Sequence, residues 1–251
     1  MSSTTPALRR TNRPLSFLES DGQALAGLSL DSASSSADRQ ASLGVGDDLI
    51  LGAWKVLVRL RDEGLIREIG ISGYPLPCLL RLSHLLSPAP SSILSYSHSN
   101  LQNEAFGGYL PHFPADCRLL TASPLNMGLL VPSGAPDWHP ALSDPKNASI
   151  LPVSRQAAEV AAAWPGGLPD VALGYGLRNL PLPAGKEGVV PVVVGAKNPD
   201  EVHQAVRVWR EVNESRADDA ARREMEQKVR DVWVRGGWED VSWESPPRAA
   251  A

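Results

Sequence analysis

From Asp47 onward, short apolar runs alternate with longer stretches of helical period, and this alternation constrains the fold more than any other feature of the chain. Residues 47–64 predict a helix with Leu49, Ala53, Leu57 and Leu60 on one face and Gly64 as its C-terminal stop. A short strand follows at 65–73, where Ile66, Ile69 and Ile71 suit a buried sheet. Pro75 then opens a helix that closes before Ser87 and Pro88. Residues 92–99 predict a second strand, 101–113 a segment that begins helically, and 117–124 a third strand. A Pro- and Gly-rich loop from Asn126 to Pro145 leads into helices at 152–164 and 168–179. Residues 188–196 are β-branched almost throughout, as in a strand covered on both faces. A helix follows directly, with Asn198 as N-cap and Pro199 at its first position. The last helix, from Asp218, turns Val229, Val232 and Trp233 inward, and the tail bearing Trp238 and Trp243 packs on the body. Strand–helix order with short connections implies parallel strands. Four such units point to a (β/α) barrel or part of one, an architecture that binds ligands at the carboxyl ends of its strands.

Two parts are expected, a low-complexity tail at 1–45 and a folded domain at 46–251. Gly, Ala and Ser dominate the tail, which offers too little apolar surface to offset an ordering cost of about 1–2 kcal/mol per residue. The 251 residues carry 24 Lys+Arg against 28 Asp+Glu, a net charge of −4. That balance argues against a nucleic-acid surface, which needs clustered cations. No run approaches the roughly 20 apolar residues of a membrane span, and no apolar signal segment is visible at the start. The cysteines, Cys78 and Cys117, lack metal-ligand spacing and read as reduced thiols of a cytoplasmic protein. The five histidines do not form a metal set either.

The segments 63–82, 93–103, 119–130, 136–141, 164–179 and 189–211 resemble, in that order, the aldo-keto reductase superfamily. Within it they are most similar to the fungal NAD-dependent D-arabinose 1-dehydrogenases and the plant L-galactose dehydrogenases. The resemblance runs from about Asp47 to Ser245. It implies an eight-stranded α/β barrel that moves hydride between a nicotinamide cofactor and an aldehyde, ketone or aldose, with proton transfer by a Tyr beside a Lys, an Asp and a His. Those four residues belong to the first half of the family's barrel. Residues 1–46 contain no Lys, Tyr or His, and the first of each in the chain are Lys55, Tyr74 and His84. The expectation is therefore an incomplete (β/α)8 barrel, its carboxyl half with strands five to eight, holding cofactor-facing loops without acid–base residues.

The resemblance assigns Ser72 and Gly73 to the nicotinamide amide, although relatives often carry Asn at the second position. Ser95, with Tyr96 and His98, falls near the nicotinamide ring. Ser123, Pro124 and Leu125 lie along the pyrophosphate, and Ala122 stands where many relatives stack an aromatic ring. Gly195, Ala196, Lys197, Glu201 and Gln204 reach the adenosine end. Lys197 is the only cation there, and Asp200 and Glu201 would repel a ribose phosphate, so NAD is expected over NADP. The implied substrate is a small aldose or carbonyl compound. Half a barrel would also leave its outer strands unpaired and open to self-association.

Overall fold

The computed structural model describes residues 7–8, 30–31, 46–183, 185–214 and 219–243. Before residue 46 it describes a two-residue antiparallel pair, β1 (Ala7–Leu8) against β2 (Leu30–Asp31). The expected lack of structure in the rest of that segment lies outside the described residues. The body of the chain is α/β. Strands β3 (Gly70–Gly73), β4 (Ser92–Tyr96), β5 (Arg118–Ala122) and β6 (Val192–Val193) form one parallel sheet in sequence order. Helix α1 (Asp47–Asp62) precedes β3, α2 (Leu76–Leu85) joins β3 to β4, and α3 (Phe106–Tyr109) joins β4 to β5. Helices α4 (Ile150–Val160) and α5 (Gly167–Leu177) lie between β5 and β6, and α6 (Pro199–Asn213) and α7 (Asp219–Arg235) follow.

The period of two along each strand separates two unlike faces. On one, Ile71, Ile93, Leu119 and Val190 pack with Leu76, Leu79 and Leu80 of α2 and Phe106 and Tyr109 of α3. Val192 and Val194 continue this face against Leu173 and Leu177 of α5 and Val208 of α6. The other face carries Ser72, Leu94 and Leu120 in one register layer and Tyr96, Ala122 and Val193 in the next. It is less covered: Ser72 is exposed, and Leu94, Leu120 and Tyr96 are half-buried. Gly70 is where β3 meets β4 most closely, since a Cβ there would stand 2.6 Å from the Ser92 carbonyl oxygen.

The strand at 188–196 is shorter and more open than its β-branched sequence suggests. Val192 and Val193 alone pair as strand, with β5, and Val189 and Val193 are 42% and 45% exposed. On its far side the start of this run meets residues 180–182 through an antiparallel bridge of Val189 with Pro181 and the Val190 N–H to the Leu180 carbonyl at 2.8 Å, and among the described residues β6 is the edge strand of the parallel sheet. The inward face of α1 also differs from expectation. Leu49 is 80% exposed, whereas Trp54 is buried with Leu51, Leu57 and Val58 against Ile69 and Leu86. Trp54 fixes this rotation because its indole N–H donates to the Pro88 carbonyl at 3.1 Å. At the start of α1, buried Asp47 accepts two hydrogen bonds from Arg81 of α2, at 2.6 and 2.8 Å.

The largest apolar cluster lies away from the sheet, among α4, α5 and α7. Val229, Val232 and Trp233 point into it as expected, and Trp238 and Trp243 are buried on it. The helix expected from residue 101 begins later, at Phe106. Asn100 Oδ1 accepts the N–H groups of Gln102 and Asn103, and Asn103 Oδ1 accepts that of Ala105. These local side-chain acceptors compete with the helical ladder and hold the segment in turns.

Candidate functional site at the carboxyl strand ends

The strand ends gather the residues that the sequence singles out, though not all on one face. Ser72 Oγ, on the open face, accepts a hydrogen bond from the Tyr96 hydroxyl at 3.1 Å. Tyr74, just beyond β3, sets its ring edge-on to Tyr96 with centroids 6.2 Å apart. Gly73 and Ser95 are register partners on the helix-covered face. Ser95 is buried there, with its Oγ 2.7 Å from His98 Nδ1, while His98 Nε2 lies 2.8 Å from Ser242 Oγ. The side chain of β4 that shares a face with Ser72 is thus Tyr96, and Ser95 instead ties the strand end to the C-terminal segment.

After β5 the chain turns sharply, with Ser123, Asn126 and Met127 at φ of 64°, 50° and 52°. Asn126 closes the turn through its N–H to the Ser123 carbonyl at 2.8 Å. Behind it is a buried polar brace. Asn126 Nδ2 donates to Gln102 Oε1 at 2.8 Å, and Gln102 Nε2 donates to the carbonyls of Trp238 and Val241. His139 is buried beside it, with Nε2 3.1 Å from the Asn126 carbonyl. Burial lowers the His139 pKa against the opposing pull of that carbonyl, so the ring is neutral and structural and does not face the open side. Pro124 packs on α5 at Gly176, and Leu125 joins two apolar clusters. Sequence reading did not anticipate this brace. Its signal was the density of Asn and Gln between 100 and 103, side chains that are costly to bury unless paired.

At the last strand end Gly195, Ala196 and Lys197 are exposed, and Gln204 is half-buried one turn into α6. The N-terminus of α6 is closed by its own residues. Asn198 Oδ1 accepts the Glu201 N–H at 2.9 Å, and Glu201 Oε2 accepts the Lys197 N–H at 2.7 Å. This reciprocal cap puts a carboxylate where the helix end would otherwise attract an external anion.

All five lysines of the chain, Lys55, Lys146, Lys186, Lys197 and Lys228, are exposed, so none is buried to depress a tyrosine pKa. Tyr175 is engaged by Glu104 and by Arg230, whose Nη1 donates to its hydroxyl at 2.7 Å. Burial, reinforced by the Glu104 carboxylate, drives the Tyr175 pKa well above the usual phenol value despite Arg230. It holds its proton and braces α7 against the β4 loop. Among the described residues no group of His, Cys, Asp and Glu is placed to hold a metal ion, and no helix is long and apolar enough to cross a membrane.

The Aldo/keto reductase family matches residues 27–223. The chain belongs to that family. It is 30% identical over 182 residues to L-galactose dehydrogenase of Arabidopsis thaliana, covering 72% of this chain and 53% of that protein. It is 29% identical over 166 residues to D-arabinose 1-dehydrogenase of Saccharomyces cerevisiae, covering 62% of this chain and 46% of that protein. The chain therefore spans about half the length of the curated relatives it matches.

Proposed function

We propose that this chain is the dinucleotide-facing half of an aldo-keto reductase barrel, that it takes NAD in preference to NADP, and that the polypeptide alone does not complete hydride transfer. Four parallel strands in sequence order, with helices on one face and an open face bearing Ser72 and Tyr96, support the half-barrel reading. The donor set fits the cofactor. Two hydroxyls on the open face suit an amide, the Ser123–Leu125 turn presents backbone beside them, and Gly195 and Ala196 leave room for a ribose. NAD, when bound, supplies the hydride acceptor. The chain's residues bind and orient it, and the exposed lysines and fully protonated Tyr175 give no acid–base pair for a sugar C1 hydroxyl. An aldose of the D-arabinose type is the substrate class of the completed enzyme on this reading.

The carboxylate of Glu201 on the Lys197 N–H is the observation that carries the cofactor preference. A 2′-phosphate would meet that charge at the helix end. Fluorescence titration is expected to give a lower Kd for NAD than for NADP by about tenfold, the effect of roughly 1.4 kcal/mol. Tighter NADP binding would overturn the preference. Addition of D-arabinose to the NAD complex is expected to produce no reduced cofactor, and turnover by the chain alone would refute the incomplete-site reading.

A second reading, self-association, is favoured by apolar stripes beside both sheet edges. Next to β3, α1 exposes Leu49, Ile50 and Val56; beyond β6, α6 exposes Val202, Val206 and Trp209 at i, i+4 and i+7. Light scattering on the purified chain is expected to give a mass above 26.9 kDa that falls towards that value in Val206→Asp; a monomer at all concentrations would refute it.

A further inference from the structure

We infer that the segment 238–243 is a strap that imposes the shape of the turn after β5, so that the carboxyl strand ends are set from the far end of the chain. The turn does not take its shape from local preference. Ser123, Asn126 and Met127 all lie at positive φ without being glycine. Such residues hold that conformation only where surrounding contacts over-determine it. The turn's own bonds are short-range, with the Leu129 N–H on the Asn126 carbonyl at 3.0 Å and the Leu130 N–H on the Leu125 carbonyl at 3.2 Å. Beside them Asn126 Oδ1 and Asn100 Nδ2 are buried with no hydrogen-bond partner. A partly satisfied polar interior is weaker than an apolar core, so the turn depends on what grips it from outside.

The strap grips it at two points, and both converge on Asn126. The first is Gln102, whose Nε2 donates to the carbonyls of Trp238 and Val241 at 2.5 and 3.0 Å while its Oε1 accepts from Asn126 Nδ2. The Asp240 N–H donates to the Gln102 carbonyl at 2.9 Å, and Asp240 Oδ1 accepts the Glu104 N–H at 2.8 Å. The second is Trp243, which meets the His139 ring edge-on with centroids 4.9 Å apart. His139 in turn holds the Asn126 carbonyl through Nε2. The strap has its own footing. Trp238, Val241 and Trp243 are buried in the cluster of α4, α5 and α7, and the Trp238 N–H donates to the Trp233 carbonyl at 2.9 Å. It is therefore the support and the turn is the supported element, whatever ligand the turn meets.

Hydrogen exchange on the full chain tests this by comparing the turn amides at 126–130 with the strand amides at 93–96 and 119–122. Gln102→Met keeps the bulk of the side chain and removes its hydrogen bonds; Trp243→Leu keeps an apolar group and removes the ring from His139. Each is expected to speed exchange in the turn about tenfold more than in the strands. Trp243→Phe, which keeps a ring, is expected to leave the ratio within about twofold of the unmodified chain. Leu80→Ala opens a cavity in the separate cluster beneath α2 and is expected to leave that ratio unchanged as well. Equal acceleration of turn and strands by Gln102→Met, or none, would overturn the strap. A turn left protected in Trp243→Leu would assign the effect to Gln102 alone and overturn it too. Selective loosening of the turn by Leu80→Ala would do the same, because the turn would then be only the weakest part of the fold.

Discussion

Replacing Asp170 with asparagine is expected to lower stability by about 3 kcal/mol, seen as a fall of about 6–12 °C in Tm. Asp170 is 1% exposed at the start of α5 and is met from three directions. Arg207 of α6 donates to Oδ2 at 2.5 Å, while Trp164 Nε1 and Arg222 of α7 donate to Oδ1 at 3.0 and 2.9 Å. Arg222 also donates to the Asp170 carbonyl at 3.0 Å and lies over the Trp164 ring. Removing the carboxylate would leave Arg222 buried with Glu211 as its remaining acidic partner, at 3.0 Å. An uncompensated buried charge costs several kcal/mol, whereas the half-exposed Arg207 contributes less. Arg207→Ala should therefore cost no more than about 1 kcal/mol.

The same network sets a pH dependence. Burial pushes the Asp170 carboxyl up, but hydrogen bonds from Arg207, Trp164 and Arg222 outweigh it and hold the group below the usual carboxylate range. A depressed native pKa stabilises the fold above the unfolded value, about 3.9, and that stabilisation is lost as pH falls through the native value. Glu226 acts in the opposite sense, since burial raises its pKa against the pull of Arg178. Comparison with Asp170→Asn removes that shared contribution. The gap in denaturation midpoint between the two proteins should be constant at neutral pH and shrink below about pH 4. A gap independent of pH would show that Asp170 does not titrate as described.

Gly176→Ala is expected to destabilise the chain by about 1–3 kcal/mol and to weaken NAD binding together with ADP-ribose binding. A Cβ at this position in α5 would stand 2.5 Å from Pro124 Cβ, 3.2 Å from Pro124 Cα and 3.2 Å from the Ser99 carbonyl oxygen. The helix must slide outward or the Ser123–Leu125 turn must lift, and either displaces the segment assigned to the pyrophosphate. Alanine is the better helix former by about 0.5–1 kcal/mol, a gain too small to offset the collision. Gly52→Ala in α1 is the control, because a Cβ there meets nothing within 4 Å. It should stabilise by about 0.5–1 kcal/mol and leave ligand binding unchanged. Thermal melts and calorimetry on the pair check both expectations, and a neutral Gly176→Ala would show that α5 and the turn are not in close contact.

The order of elements, the parallel pairing and the family were legible because they depend on local periodicity and on ordered runs of residues. Asn198 and Pro199 announced the start of α6, and the cap forms as expected, since it needs only a few neighbouring side chains. The rotation of α1 was not legible. Leu49 and Trp54 are both apolar, and only a partner 34 residues away, the Pro88 carbonyl, selects the indole as the inward group. The openness of the last strand was hidden for a similar reason. A run of valines has the same composition whether a sheet continues beyond it or stops.

The site divides along the same line. Ser72, the turn at Ser123 and the segment at Gly195 stand at strand ends because strand boundaries follow from short-range patterns. Ser95 and Tyr96 are adjacent in sequence, and one alternation of the pleat sends the first to His98 beneath the helices and the second to Ser72 on the open face. A shift of one residue reverses every side chain of a strand, and sequence spacing alone leaves that register undetermined. Local propensity settled which elements form and in what order. Which face each side chain takes, and therefore which residues reach the open side of the sheet, was decided only when hydrogen-bonded strands and packed helices removed the remaining freedom.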